Sequence, residues 1–369
     1  MNKKRHLSAK PYIINNKTRI LVLIISFSLF ITMLYGISFL FSTSTETFYD
    51  LMVDRYKNFA IITLNLPEGS PSKDYIDSCQ QLCNQLSTQR GVRGAIPTSL
   101  RYDVSVNAVI GHLRLGICFM DQEYITFYLE QYNASLIDGK LPKYPGEIVI
   151  NQRLQKNTGL KIGDAMIEDH TIVGIVESDS YLALGVNKYF DEVMCTAFLD
   201  SDADIYEICK SANIPYDYMI RGIQEGKDEF DNSSSIMTFS ANLITITATI
   251  LLFICLLVVI QMHFRDRQEE WCLYNSIGYS LWDIYCLAMR ELLLTILIGV
   301  FFGFVLSGCF MIILNYFIIV PKGLFVSFLL PKTINEIVCI LVLFVGCCQL
   351  PLMHSLHQIR TVDTLESES

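Results

Sequence analysis

The sequence predicts a membrane protein with four transmembrane α-helices and an α+β extracytoplasmic domain inserted between spans 1 and 2. Two observations support this fold class. The mean hydropathy of the 369 residues is +0.37 and only 18% of them are charged, which is unusual for a soluble protein. The apolar residues also form long uncharged blocks, and such blocks are typical of membrane spans rather than of a soluble core.

The first apolar block is residues 20–41, a run of 22 residues without a charge. At 1.5 Å per residue this helix would be about 33 Å long, enough to cross the hydrocarbon layer. Six Lys or Arg residues precede it, so a signal peptide is the alternative. We favour an uncleaved anchor, because the apolar stretch is too long for a signal peptide and no clear cleavage site follows it.

Three further apolar blocks complete the predicted topology, at residues 241–262, 292–320 and 337–353. The basic tail, residues 1–19, predicts a cytoplasmic N-terminus by the positive-inside rule. Four spans then place both termini in the cytoplasm. The segments between them alternate, with residues 42–240 and 321–336 outside and residues 263–291 and 354–369 inside.

The outer segment, residues 42–240, is predicted to be an acidic domain of helices and strands. It contains 28 acidic and 16 basic residues, so we expect neither a nucleic acid nor an anionic ligand as its partner. Alternating and helical patterns, separated by turn residues, predict its elements. The predicted strands are residues 59–66, 102–110, 113–119, 147–151, 171–176 and 218–223, and the predicted helices are residues 75–90 and 205–211.

Five of the 12 cysteines lie in the outer segment, without the regular spacing of a disulfide framework. Cys79 and Cys83 are four residues apart and share one predicted helical face with Ile76 and Leu86. We interpret this face as part of the domain core. A metal or redox pair is the alternative interpretation.

Motifs for catalysis are absent from the sequence. It has no Gly-rich phosphate-binding loop followed by Lys and Ser or Thr, no HExxH and no GxSxG. His354 and His357 are close together, but they directly follow the last apolar block and fit a membrane interface better than a metal site. We therefore predict a chain that is not an enzyme and that itself binds no cofactor and no metal.

The predicted inner loop, residues 263–291, has a pattern that indicates two helices. Apolar residues recur at Trp271, Tyr274 and Ile277 before Gly278, and a second helical pattern follows. This predicts a short amphipathic helix, a turn that the glycine permits, and a helix that leads into the membrane. Such a helix either docks in the groove of a partner or lies on the lipid surface, and the residues alone leave both open.

The same loop resembles the corresponding stretch of FtsX-like ABC transporter permeases of the MacB type. In that family an Arg-x-x-Glu segment leads into an apolar run that ends in Leu-Gly. The positions that match are Arg267, Glu270, Trp271, Leu273, Tyr274, Ile277, Gly278 and Ser280. The sequence departs from the family pattern at Asn275 and Ser276, where the family has Arg and Ala.

A second resemblance to the same family covers residues 136–177 of the outer segment. The motif positions are Gly139, Lys140, Pro142, Gly146, Glu147, Asn151, Gly159, Leu160, Gly163, Asp164, Val173 and Gly174. We predict a structural role for them, with glycines where turns need a positive φ and with Asp164 at a hairpin. The segment from Arg360 to Leu365 resembles the ending of the family, and the four-span topology also matches.

The resemblance implies a non-catalytic permease subunit of a bacterial cytoplasmic membrane that works with a separate cytoplasmic ABC ATPase and a second permease chain, in a homodimer or a heterodimer. ATP and Mg²⁺ would bind to the ATPase. Arg267, Glu270, Trp271, Tyr274, Ile277 and Gly278 would couple its motion to the outer domain for export or extraction of a peptide, a lipid-linked molecule or a toxic compound. The alternatives are a regulator of an extracellular cell-wall hydrolase and a receptor or scaffold without an ATPase.

Overall fold

A computed structural model describes residues 16–65, 72–167, 170–186, 193–201, 203–214, 217–324 and 330–366 of the chain. The chain divides into two compact units. The helical unit comprises Met1–Phe39, Phe239–Leu314 and Phe328–Ser369. The sheet unit comprises Leu40–Thr238 and Asn315–Ser327. The predictions for residues 1–15 and 367–369 lie outside the described residues.

The helices of the described residues are, in chain order, α1 (Lys17–Met52), α2 (Ser72–Ser87), α3 (Gln122–Gln131), α4 (Gln152–Thr158), α5 (Ile205–Ala212), α6 (Ile223–Ser276), α7 (Leu281–Leu314) and α8 (Pro331–Glu366). Four of them, α1, α6, α7 and α8, are long and apolar enough to cross a membrane. These helices and the sheet described below confirm the predicted fold class.

The helices extend beyond the predicted spans. Helix α1 continues 11 residues past the end of the first apolar block, and α8 continues through Pro351. The prediction of a separate amphipathic helix after residue 262 is wrong, because α6 continues without a break to Ser276. No Gly or Pro interrupts residues 263–276, and the Arg, Gln and Glu residues in this stretch favour helix.

Close packing of α1 against α7 depends on small residues. A Cβ atom at Gly299 would lie 2.6 Å from the Cβ atom of Phe27, and one at Gly303 would lie 2.9 Å from the Cβ atom of Ile31. The hydroxyl of Ser28 donates to the carbonyl of Gly299 at 3.1 Å. Small residues of this kind let the backbones of membrane helices approach and associate.

The sheet unit is built on a ten-stranded sheet. Its strands are β1 (Phe59–Asn65), β2 (Val92–Asn107), β3 (His112–Met120), β4 (Ser135–Gly139), β5 (Glu147–Asn151), β6 (Ala165–Ile167), β7 (His170–Glu177), β8 (Ala183–Val186), β9 (Met194–Leu199) and β10 (Asp217–Arg221). The order is β10-β1-β9-β2-β3-β8-β5-β7-β4, with β6 paired to β7. The pairs β3–β8 and β5–β7 are parallel, and the other pairs are antiparallel.

Helix α2 packs on the sheet through the face that carries its cysteines. Cys79 and Cys83 are buried in one apolar cluster with Cys195 of β9 and Cys209 of α5. The neighbouring Cys83 thiol and burial raise the pKa of Cys79, and burial raises the pKa of Cys209 to about 11. Thiols with raised pKa values are poor nucleophiles, so these positions agree with the interpretation as core residues.

The connection after α7, as far as residue 324, belongs to the sheet unit and packs on α4 and on the segment before β8. Its backbone carbonyls at Lys322 and Gly323 accept hydrogen bonds from Asn157 Nδ2 at 3.1 Å and from the Tyr181 hydroxyl at 2.9 Å. Gly323 has a φ of +65°, and a Cβ atom there would lie 2.6 Å from the carbonyl oxygen of Arg153. A glycine is therefore needed where this connection crosses the backbone of α4.

Candidate functional site: the hairpin of α6 and α7

The turn between α6 and α7 is closed by capping interactions at both helix ends. Gly278 has a φ of +97°, and the N–H of Tyr279 donates to the carbonyl of Tyr274 at 3.1 Å, as in a Schellman motif. Ser280 directly precedes α7. The hydroxyl of Ser280 accepts from the backbone N–H of Asp283 at 3.2 Å, and the carboxylate of Asp283 accepts from the backbone N–H and from the hydroxyl of Ser280, at 3.2 and 2.6 Å. This reciprocal pair is a capping box, so the turn is specified locally.

A buried ion pair joins the two helices of the hairpin. The guanidinium of Arg267 on α6 donates to both carboxylate oxygens of Glu291 on α7, each at 2.8 Å, and also pairs with Glu270. The side chain of Arg267 is only 1% exposed, and that of Glu291 is 4% exposed. An ion pair with two hydrogen bonds in such an environment fixes the orientation of both side chains and therefore the register of α6 against α7.

Trp271 packs next to this ion pair, one turn along α6. Its indole is buried and lies against the ring of Phe264, with 5.8 Å between the ring centroids. Neither Trp271 nor Arg267 is therefore available at the surface. Their contribution is to hold α6 in place.

Several of the side chains that are exposed around the turn are apolar ones. We call Leu273, Ile277 and Trp282 the tip surface; they are 59%, 67% and 69% exposed. Trp282 stacks on Tyr285 with ring centroids 5.2 Å apart, and Tyr274 is half-buried against Tyr279 at 6.1 Å. Exposed apolar side chains grouped in this way are typical of a surface that contacts another protein or a membrane.

The six predicted coupling residues therefore fall into two groups. In the first group, Arg267 and Trp271 are buried and Glu270 is half-buried. In the second group, Ile277 and Gly278 are exposed at the turn and Tyr274 beside them is half-buried. Trp282 and Glu291 were not among the residues predicted from the sequence. A tryptophan as the second residue of the predicted second helix was a usable signal for Trp282. The pairing of Glu291 with Arg267 could not be predicted, because no sequence rule relates two charged residues that are 24 positions apart.

The predicted motif of the outer segment lies in the turns around β4, β5 and β7. Four of its glycines have a positive φ, namely Gly139, Gly146, Gly159 and Gly163, as predicted for turns. Gly174 differs, because it lies in β7, where the backbone carbonyl of Lys140 leaves no room for a Cβ atom. Pro142 is buried before β5. Asp164 directly precedes β6 and accepts from the N–H of Lys161 at 2.8 Å.

Glu147 organises the turn before β5. Its carboxylate accepts from the Lys140 ammonium at 2.6 Å and from the backbone N–H groups of Lys143 and Tyr144 at 2.7 and 3.1 Å. Burial opposes the charged form, but these three donors outweigh burial and lower the pKa of Glu147. The charged form of the carboxylate therefore stabilises this turn.

Replacing Glu147 with glutamine is expected to lower the free energy of unfolding by about 1–2 kcal/mol at neutral pH, because hydrogen bonds to a charged acceptor are lost. The folded pKa is lowered, so the stabilisation is present above the ordinary pKa of glutamate and is lost as the pH falls through the lowered value. The stability difference between wild type and Glu147→Gln is measured by thermal unfolding of the full chain in detergent, at pH 7 and at a series of lower pH values. The difference between wild type and variant should shrink at acidic pH, whereas Glu130→Gln, at an exposed site on α3, should change little at either pH. A pH-independent difference would contradict the assignment.

The part of the chain that contains the hairpin matches a known protein family. Residues 242–363 match the family model of the FtsX-like permease C-terminal domain. A sequence search among curated proteins found no match.

Two solved structures are similar to the chain at low sequence identity. The periplasmic region of MacB from Actinobacillus actinomycetemcomitans is 14% identical, with 49% of this chain and 95% of that chain covered and a TM-score of 0.30. The extracellular domain of the noncanonic ABC-type transporter YknZ from Gram-positive bacteria is 9% identical, with 44% of this chain and 99% of that chain covered and a TM-score of 0.28. At these TM-scores the likenesses do not establish a shared fold.

Proposed function

We propose that this chain is the permease subunit of an ABC transporter whose ATPase is a separate subunit, because residues 242–363 match the family model of the FtsX-like permease C-terminal domain. ATP and Mg²⁺ bind to that ATPase and not to this chain. Movement of the ATPase is transmitted to the sheet unit and drives export or extraction of a peptide, a lipid-linked molecule or a toxic compound. A second permease chain completes the assembly.

The proposed orientation places the hairpin of α6 and α7 in the cytoplasm and the sheet unit outside the cell membrane. The basic tail of residues 1–19 supports this orientation through the positive-inside rule. The tip surface is then on the side where an ATPase would bind.

The observation that carries the proposal is the combination of an exposed apolar tip with a buried ion pair behind it. An apolar surface on a rigid helical element can insert into a groove of a partner and lose little conformational entropy. The pair of Arg267 with Glu291 keeps α6 and α7 from sliding past each other when the tip is displaced. Helix α6 is continuous from Ile223 to Ser276, so a displacement of the tip acts on this helix.

Replacement of tip residues is expected to abolish association with the ATPase. Ile277→Asp and Trp282→Asp each place a charge in the proposed contact, and central apolar anchors of interfaces typically contribute about 2 kcal/mol or more. The measurement is copurification of the ATPase, identified by mass spectrometry, with the tagged full chain in mild detergent. We expect at least a tenfold loss of ATPase per permease for each variant.

The matched control is Tyr144→Asp, because Tyr144 is an equally exposed apolar side chain, 67%, in the sheet unit. This variant should retain the ATPase, and size-exclusion chromatography checks that all variants stay folded. Retention of the ATPase by both tip variants would refute the docking role of the tip. If the wild-type chain copurifies with no ATPase at all, the permease proposal fails and a receptor or scaffold remains.

A further inference from the structure

Gln349 is a polar residue of α8 within residues 337–353, the segment predicted as the fourth span. Its amide is engaged at both atoms. The Nε2 atom donates to the carbonyl of Val345 on the same helix at 3.2 Å and lies 3.4 Å from the sulfur of Met289 on α7. The Oε1 atom accepts a hydrogen bond from the hydroxyl of Tyr285 on α7. Because the interior of a membrane offers no water, such a bond favours a fixed pairing of the two helices.

Tyr285 extends this contact to the tip surface. Trp282 lies three residues earlier on the same face of α7, and the two rings stack with 17° between their planes. The Trp282 side chain is 69% exposed, so the stack on Tyr285 is a main support of its indole. The hydrogen bond to α8 holds the far end of the Tyr285 ring and limits its rotation. An exposed tip residue therefore rests on a half-buried ring that a polar side chain of α8 fixes.

The bond between Tyr285 and Gln349 is separate from the ion pair of Arg267 with Glu291. The ion pair joins α6 to α7, whereas this hydrogen bond joins α7 to α8. Tyr285 also precedes Glu291 on α7 and is closer along the helix to the turn. A side chain that is ordered before binding loses less conformational entropy when it docks. Support of Trp282 from α8 would therefore strengthen docking without any contact between Gln349 and the partner.

We propose that Gln349 is a positioning residue of the tip surface, which holds Trp282 in place through the hydroxyl and the ring of Tyr285. This role rests on the proposed function, because the position of Trp282 matters only if the tip docks with an ATPase. The position itself can be measured without an ATPase, so the two proposals can fail separately.

The first test measures the motion of the Trp282 ring in the full chain, purified in detergent without an ATPase. The chain has two tryptophans, and Trp271→Phe leaves Trp282 as the fluorophore. Time-resolved fluorescence anisotropy separates fast motion of the ring from tumbling of the micelle. We expect the amplitude of the fast component to rise about twofold in Gln349→Leu and in Tyr285→Phe, because each change removes the hydrogen bond. If Trp271→Phe does not fold, the wild-type background replaces it, since the buried Trp271 adds only a slow component that all variants share.

Two further variants show whether the effect comes from this bond. Gln349→Leu combined with Tyr285→Phe should free Trp282 no further than either single change, because both remove the same interaction. The matched control is Gln358→Leu, which removes another amide contact of α8, with Gln268 of α6 at 2.8 Å, and should leave the motion of Trp282 unchanged. Unchanged motion in both single variants would overturn the proposal. An equal increase in Gln358→Leu would also overturn it, since general loosening of the helices would then explain the effect.

Copurification of the ATPase then tests whether the position of Trp282 matters for docking. Gln349→Leu should carry about threefold less ATPase per permease, at an unfolding temperature close to wild type, whereas Gln358→Leu should carry the wild-type amount. If the tip variants lose the ATPase but Gln349→Leu retains it fully, the proposal is overturned. A loss of ATPase that only follows a loss of folded protein would count against it in the same way. If Trp282 is freed and the tip variants also retain the ATPase, the docking role of the tip fails, while the hold of Gln349 on Trp282 is supported.

Discussion

Replacing Arg267 with leucine is expected to lower the stability of the chain far more than replacing its exposed neighbour Arg265 with leucine. The first change leaves Glu291 buried without its ionic partner. Removal of one member of a buried ion pair typically costs about 3–5 kcal/mol. Thermal unfolding in detergent, followed by size-exclusion chromatography, measures the difference between the two variants.

The double variant Arg267→Leu with Glu291→Leu separates the charge effect from the loss of packing. It removes both buried charges, so we expect it to recover most of the stability that the single variant loses. Arg265→Leu should unfold close to the wild-type temperature, because Arg265 is exposed on the same helix. An Arg267→Leu variant as stable as Arg265→Leu would mean that the ion pair does not hold the hairpin.

The result also matters for the proposed function. The ion pair lies at the base of the hairpin and the apolar residues lie at its turn, so the two sets of variants test different steps. Tip variants should lose the ATPase while the chain stays stable. Variants of the ion pair should destabilise the hairpin itself, and their loss of ATPase should follow the loss of folded protein.

Gly299→Ala is expected to be the second strongly destabilising change. The new Cβ atom would lie 2.6 Å from the Cβ atom of Phe27 and 3.4 Å from the carbonyl oxygen of Ile24, so α1 and α7 would have to separate. Overpacking of this kind typically costs about 1–3 kcal/mol. The measurement is again the unfolding temperature of the full chain in detergent.

The same substitution at Gly308 provides a matched control. Gly308 lies on the same helix, and a Cβ atom there would meet nothing within 4 Å. Alanine favours helix over glycine by about 1 kcal/mol, so Gly308→Ala should be neutral or slightly stabilising. If both alanine variants destabilise equally, close approach at Gly299 is not what holds α1 against α7.

The sequence by itself determined the features that depend on neighbouring residues. A membrane span needs about 20 apolar residues in series, so the four blocks were visible without a structure. The strand at Glu147–Asn151 was predicted with its observed bounds, and Gly278 was predicted at a turn. These features arise from hydropathy, turn chemistry and backbone conformation, which are local properties.

Only the tertiary structure decided which distant residues meet. Hydropathy does not encode strand order, so it could not place β9 between β1 and β2. It also could not pair Arg267 with Glu291, or Tyr285 with Gln349. The reason is physical: a charged residue looks the same in the sequence whether water or a partner 24 positions away satisfies it, and the packing of the elements makes that choice.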